Sequence, residues 1–275
     1  MREEWLKEYI KFLYAGDANK AMLLKNVNIP SSLFRYERFA DYRILTLSKF
    51  QLYLSSPKNF NDVYDTKGIY YSQAFLDSIY GRFQATPQDF QDIFDKLLDD
   101  YYLHCGIACF SEDRDNYPMW WSYADCHSGY CIEYDFASLK ETNPKFLYNM
   151  HPVLYLAEKF NFDKLLIALT DNLAEDEPLI TPEMLLFHNL LGTIKHRSWS
   201  YEKEWRYIRT LRQENTAFPV KVKAIYLGNR FAKDNIKIME SVSAILNCDL
   251  YQMATSGHMQ KPYTFIPDAL LTKTN

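Results

Sequence analysis

Glycine is scarce in this chain: 8 of its 275 residues are glycine, and the glycine-dependent nucleotide motifs are missing. No Gly-x-Gly-x-x-Gly or P-loop pattern occurs, and neither does Gly-x-Ser-x-Gly or His-Glu-x-x-His. These absences exclude a Rossmann dinucleotide site, a P-loop, the nucleophile turn of α/β-hydrolases and the zinc helix of metalloproteases. A nucleotide site of another kind is still open.

Cysteine is present in an odd number, and no Cys-x-x-Cys pair occurs. The five cysteines are Cys105, Cys109, Cys126, Cys131 and Cys248. In a chain of this size without a secretion signal, this pattern favours reduced, buried thiols over disulfides. A zinc site that also uses His127 is the weaker alternative, because the spacing lacks a zinc knuckle. We expect no metal.

Long apolar runs and an excess of one charge are also missing. No window of about 18 uninterrupted apolar residues exists, so we expect a cytoplasmic protein without a membrane partner. The net charge is −4 with acids and bases mixed along the chain, which does not mark a non-specific nucleic-acid binder. Aromatic residues, in contrast, make up 16% of the chain, and this abundance suggests that some rings bind a flat ligand.

The hydrophobic pattern predicts an N-terminal helical segment, 1–28, followed by a single α+β domain, 29–275. Helical inserts are expected at about 73–103 and 158–196, and Thr86-Pro87 with Asp89 marks a helix start inside the first. Strands are predicted at HCGIACFS, GYCIEYD, YEKEWRYIRTL, VKAIYLGN and CDLYQMA.

Two acids lie close together in WSYEKEWRYIRTL. Glu202 and Glu204 are two residues apart at the expected start of a strand, so both side chains would face the same side of it. One interpretation is a solvated edge strand with Lys203 and Arg206 nearby. The other is a carboxylate pair that holds a sugar hydroxyl and stabilises the oxocarbenium-like transition state of glycosidic cleavage.

Arginine and small polar residues cluster near the N-terminus. FRYERF contains Arg35, Tyr36 and Arg38, and arginine suits phosphate because its planar guanidinium binds two oxygens at once. The following SSPKNFNDVYD supplies Ser55, Ser56, Asn61, Asp62 and Asp65. These residues suit either a ligand site or an ordinary turn, since Ser-Pro and Asn-Asp both favour turns.

The segment PMWWSYAD contains two adjacent tryptophans. Helical spacing puts Trp120 with Tyr123 on one face and turns Trp121 elsewhere. Core packing and stacking on a nicotinamide or adenine ring are both open.

Several segments together resemble a large bacterial family catalogued as a domain of unknown function, over about residues 33–230. They are LFRYERF, LYLSSPKNFND, ACFSE, PMWWSYADCHSGYCIEYD, WSYEKEWRYI and VKAIYLGN. The chain departs from the family pattern at Val63, where proline is frequent, and at Ser122, where histidine is common.

The order Arg35, Ser55-Ser56, Glu202-x-Glu204 is also similar to that of ADP-ribosyltransferases. This second resemblance implies two small, mostly antiparallel sheets forming a cleft, surrounded by helices, with NAD as the substrate. Arg35 would contact the phosphates or ribose, and Ser56 would brace the site. Glu204 would hydrogen-bond the ribose and favour departure of nicotinamide, while Glu202 would orient the acceptor.

We therefore expect an NAD-using ADP-ribosyltransferase or NAD glycohydrolase, acting as a bacterial toxin or phage-defence effector on a protein or nucleic-acid acceptor. The other substrate-binding candidates are Tyr36, Asn61, Asp62, Trp120, Tyr123 and Arg206. One alternative is a nuclease or phosphodiesterase whose Asp62, Asp65, Glu112 and Glu204 hold Mg²⁺. Another is a non-catalytic sensor whose aromatic pocket binds a nucleotide or a peptide.

Overall fold

The structure is a computed structural model that describes residues 2–62, 64–83, 86–172, 182–209, 215–255 and 263–267. Val63, one of the two departures from the family pattern, lies outside these residues.

Ten α-helices lie in the described residues. They are α1 (Arg2–Ala15), α2 (Ala18–Asn28), α3 (Asp41–Ser48), α4 (Gln73–Phe83), α5 (Pro87–His104), α6 (Tyr117–Ser122), α7 (Phe136–Thr142), α8 (Asp163–Asn172), α9 (Pro182–Leu190) and α10 (Ile236–Leu246). Four 3₁₀ helices are found at Pro57–Asn59, Pro144–Asn149, Arg197–Glu202 and Lys233–Asn235. The predicted start of α5 is confirmed, since the Thr86 and Asp89 side chains form a reciprocal capping box around Pro87.

Fourteen strands accompany these helices across the same part of the chain. They are β1 (Ser32–Glu37), β2 (Gln51–Tyr53), β3 (Ile69–Tyr70), β4 (Gly106–Ser111), β5 (Tyr130–Asp135), β6 (Met150–Pro152), β7 (Leu154–Leu156), β8 (Phe160–Asn161), β9 (Ile194–His196), β10 (Glu204–Arg209), β11 (Asn215–Ala217), β12 (Val222–Leu227), β13 (Asp249–Thr255) and β14 (Tyr263–Pro267).

Eight strands form one sheet in the order β14-β13-β12-β5-β1-β4-β10-β6, and three two-stranded sheets pair β11 with β2, β3 with β8 and β7 with β9. All neighbours in the large sheet are antiparallel except β12 and β13. The predicted α+β fold is confirmed. The strands divide differently from the two sheets that were expected, because β5 pairs with β1 on one edge and with β12 on the other.

The two faces of the large sheet carry separate cores. In β10, Trp205 and Tyr207 pack into one core, while Ile208 packs into the other. Because side chains alternate along a strand, Glu204 and Arg206 lie on the Ile208 face. Both are buried there. A strand that reads as charged in sequence is therefore an interior strand of the sheet.

The join between β1 and β4 is short and creates an opening in the sheet. The two strands pair at one position, Phe34 opposite Ser111. Further along β4, Ile107 exchanges backbone hydrogen bonds with Ser55, which follows β2. The strands therefore separate beyond Phe34, and side chains from both faces of the sheet reach the space beside them.

Candidate active site

A cleft of about 730 Å³ lies where β1 and β4 separate. Its volume falls in the range of small-molecule sites, roughly 300–1,000 Å³. The lining contains eight of the residues predicted from sequence: Arg35, Tyr36, Asn61, Asp62, Tyr123, Glu202, Glu204 and Arg206. Arg35 and Arg206 are 171 positions apart in the chain, yet both line this one cavity.

An acidic cluster forms one part of this cleft, and Arg206 lies at its centre. Two guanidinium nitrogens of Arg206 donate to the two oxygens of Asp65, at 2.8 and 2.7 Å. Two donate to Glu204, both at 3.0 Å, and one donates to the Gly192 carbonyl at 2.6 Å. All five N–H bonds of the arginine are thus used.

Glu202 belongs to the same cluster through other partners. Lys195 donates to one oxygen of Glu202 at 2.7 Å, and the Tyr123 hydroxyl donates to the other at 2.7 Å. The Lys195 nitrogen also lies over the Trp199 ring, 4.8 Å from its centroid. Glu202 is 1% exposed and Glu204 is 4% exposed, so the solvated-edge interpretation of this pair is wrong.

The backbone that presents the two acids differs from the expected strand. Glu202 ends the 3₁₀ helix Arg197–Glu202, and β10 begins only at Glu204. Between them, Lys203 has a left-handed backbone with φ +47°, which redirects the chain. This turn allows both acids to line the cleft. The predicted reason, that residues two apart on a strand face the same side, does not apply, because Glu202 is not on the strand.

Burial and charge act differently on the two acids. Burial alone would raise the pKa of Glu204, but Arg206 and Lys195 outweigh burial and lower it to about 2. Burial and the charge of Glu204 raise the pKa of Glu202, against the opposing effects of Lys195 and Tyr123. Glu204 therefore stays anionic at neutral pH, while Glu202 is the group better suited to accept and release a proton.

A basic cluster forms another part of the cleft. Glu37 pairs with Arg35, whose Nε lies 2.5 Å from a carboxylate oxygen, and the Arg43 guanidinium pairs with the other oxygen. Arg38 is exposed and lines the same cavity. Tyr42 and Tyr53 complete this part of the wall. Two guanidinium groups thus pair with one carboxylate, and a third lines the same cavity.

Two predicted residues lie away from the cleft. Trp120 is fully buried, contacts Tyr36 edge-on and donates from its indole nitrogen to the Arg114 carbonyl. Ser56 donates to the Tyr102 carbonyl at 2.8 Å and caps the 3₁₀ helix Pro57–Asn59. Trp120 is therefore a core residue and Ser56 a turn residue, and Ser55 lines the cavity in place of Ser56.

The four acids of the magnesium alternative do not form one site. Glu112 accepts from the indole nitrogen of Trp205 at 2.6 Å, whereas Asp65 and Glu204 both bind Arg206. Within the described residues, no group of three or more His, Cys, Asp or Glu is arranged to hold a metal ion. All five cysteines are free thiols.

Sequence reasoning missed Lys195, Trp199 and Arg43 as parts of the cleft. Lys195 and Arg43 lie outside the quoted motifs, and Trp199 begins WSYEKEWRYI but was not predicted as a site residue. Lys195 is on β9, whose pairing with β7 brings it toward Glu202, and Arg43 is on α3, which lies between β1 and β2 in the chain. The long-range packing that places them leaves no local signal in the sequence.

The comparison with protein families identifies part of the chain. Residues 119–207 match the family described as "Protein of unknown function (DUF2971)". This stretch is similar to that family. The predicted resemblance to a domain of unknown function is confirmed over these residues, which include Tyr123, Lys195 and all of the acidic cluster except Asp65. Arg35 precedes the matched residues.

No curated protein and no solved structure matches the chain. Among the described residues, no helix combines the length and apolar character that are needed to cross a membrane.

Proposed function

We propose that the cleft binds NAD and that the protein cleaves the bond between its ribose and nicotinamide, as an ADP-ribosyltransferase or an NAD glycohydrolase. The observation that carries the proposal is the presence of two oppositely charged clusters in one cavity of about 730 Å³. NAD has the matching charges, with an anionic pyrophosphate and a cationic nicotinamide ring.

The basic cluster suits the pyrophosphate. Arg35 and Arg43 already pair with a carboxylate, Glu37, and the same charge attraction suits phosphate oxygens. The third arginine, Arg38, is exposed at the same cavity and supplies further positive charge. The neighbouring rings of Tyr42 and Tyr53 offer surfaces on which an adenine could stack.

The acidic cluster suits the reacting part of NAD. When nicotinamide departs with the bonding electrons, positive charge develops on the ribose, and a fixed anion beside it lowers the barrier. Glu204 is such an anion, since Arg206 keeps it ionised and in place. Glu202 then accepts the proton of the attacking water or acceptor hydroxyl, a step that commonly contributes about 10²- to 10⁴-fold.

The direct test is to mix the purified protein with NAD, follow binding by calorimetry and follow nicotinamide release by chromatography. Glu202→Gln keeps the shape of the side chain and is expected to lower nicotinamide release by about 100-fold or more while NAD still binds. Equal release by wild type and Glu202→Gln, or no binding of NAD at millimolar concentration, would refute the proposal.

A matched pair of arginine variants tests the basic cluster. Arg35→Gln removes a charged donor from the cleft and is expected to weaken NAD binding by about tenfold or more. Arg209→Gln is the control, since Arg209 is also a strand arginine but donates to Thr216 and does not line the cleft. Equal NAD affinities of the two variants would refute the proposal that Arg35 binds the pyrophosphate.

The cellular role proposed with this activity is that of a toxin or phage-defence effector in the cytoplasm. Its test is the NAD content of cells that express wild type or Glu202→Gln. We expect depletion or growth arrest with wild type alone.

A further inference from the structure

Lys195 lies among three carboxylates at the base of the cleft. Its nitrogen is 2.7 Å from Glu202, 3.4 Å from Asp65 and 3.6 Å from Glu204, and its side chain is 6% exposed. A buried ammonium is costly unless opposite charges surround it, and here they do. Lys195 therefore belongs to the charge balance of the site.

Arg206 cannot take the place of Lys195 beside Glu202. Its N–H bonds are all directed to Asp65, Glu204 and the Gly192 carbonyl. The cation that contacts Glu202 is thus Lys195, whose position is fixed further by the Trp199 ring.

The other charged and titratable groups near Glu202 come from several elements. They are Tyr123 after α6, Tyr201 in the 3₁₀ helix Arg197–Glu202, Glu204 and Arg206 on β10, Cys109 on β4, and Asp65 after β2. Glu204 and Asp65 oppose ionisation of Glu202, because like charges repel in a buried site. Lys195 is the charged group in contact with Glu202 that favours its ionised form.

We propose that Lys195 is a positioning residue that keeps Glu202 ionised and oriented, so that Glu202 can accept a proton from the attacking nucleophile. This inference rests on the proposed function. Lys195 is assigned no contact with the reacting atoms or the phosphates, because it acts through Glu202. Without Lys195 the pKa of Glu202 rises further, its protonated fraction grows at the expense of its acceptor role, and the hydrogen bond from Tyr123 still restrains it.

The test compares Lys195→Met with Lys195→Arg, which restores the charge. The Glu202 carboxyl is titrated by carbon NMR without NAD, using its loss in Glu202→Gln to assign the signal. We expect the titration midpoint to rise in Lys195→Met and to return toward wild type in Lys195→Arg. Turnover of NAD at neutral pH is expected to fall by about tenfold in Lys195→Met, with its pH profile displaced upward and KM little changed.

Lys20→Met is the control, because Lys20 also pairs with a carboxylate at 2.7 Å but is exposed on α2. It is expected to change neither the midpoint nor the profile. Should Lys195→Met fail to fold, Lys195→Gln replaces it, since glutamine keeps a donor without the charge.

The two readouts separate this inference from the proposed function. An unchanged Glu202 midpoint in the neutral variants overturns the role of Lys195, whether or not NAD is cleaved. An unchanged pH profile despite a raised midpoint also overturns it. A raised midpoint in a protein that never cleaves NAD supports Lys195 as the positioning residue and refutes NAD chemistry alone.

Discussion

At the residue scale, Glu204 shows how a buried acid can remain charged. Its two oxygens accept from Arg206, and Lys195 lies 3.6 Å away. These partners hold the pKa at about 2, below its ordinary value of 4.5. A lowered pKa means that the stabilising contribution is complete above about pH 4.5 and is lost as the pH falls toward 2.

Glu204→Gln is therefore expected to lower the free energy of unfolding by about 3 kcal/mol at pH 7, because it leaves Arg206 with one carboxylate instead of two. The difference in unfolding free energy between wild type and Glu204→Gln should be smaller at pH 3, where wild-type Glu204 has begun to lose its stabilising contribution. Urea unfolding at both pH values measures this difference. Glu8→Gln, in an exposed pair with Lys11, should change stability by less than about 1 kcal/mol. An equal deficit at both pH values would contradict the assigned pKa.

At the element scale, the short helix α6 connects the aromatic segment to the acidic cluster. Asn116 caps α6 by accepting from the Met119 amide, and it donates to the Tyr201 carbonyl beside Glu202. The helix ends at Ser122, directly before Tyr123. One side chain thus ties the position of Tyr123 to that of Glu202.

Asn116→Ala is expected to cost about 1 kcal/mol of stability through loss of the cap. It should also lower NAD turnover by about tenfold, because Tyr123 and Glu202 lose their common support. Thr86→Ala removes a comparable cap from α5, and Thr86 does not line the cleft. We expect Thr86→Ala to cost similar stability with turnover unchanged. Equal turnover in both variants would show that the Asn116 link does not matter.

Elements were predictable where a local signal exists. Thr86-Pro87 marks the start of α5, and the alternating apolar residues of 130–135 mark β5. The turn at Lys203 was not predictable, because a left-handed lysine has no sequence signature and the charged residues around it read as an exposed strand. Trp120 was ambiguous for a similar reason, since the sequence does not tell which tryptophan the sheet covers.

At the scale of the whole molecule, the arrangement of the sheet brings the two charged clusters together. The α+β class and the shared cavity of Arg35 with Glu202 were expected from the sequence. The merging of the strands into one large sheet, and the roles of Lys195 and Arg43, depend on pairings between distant segments and could not be expected. The site therefore combines residues that the motifs suggested with residues, such as Lys195 and Arg43, that only the folded structure brings close to them.

The most direct measurement is a crystal structure of the protein with NAD bound, using Glu202→Gln to slow cleavage. We predict the pyrophosphate against Arg35 and Arg43, and the nicotinamide-bearing ribose beside residue 202 and Glu204. A structure with NAD outside this cleft, or with its adenine at the acidic cluster and its phosphates away from the arginines, would contradict the account.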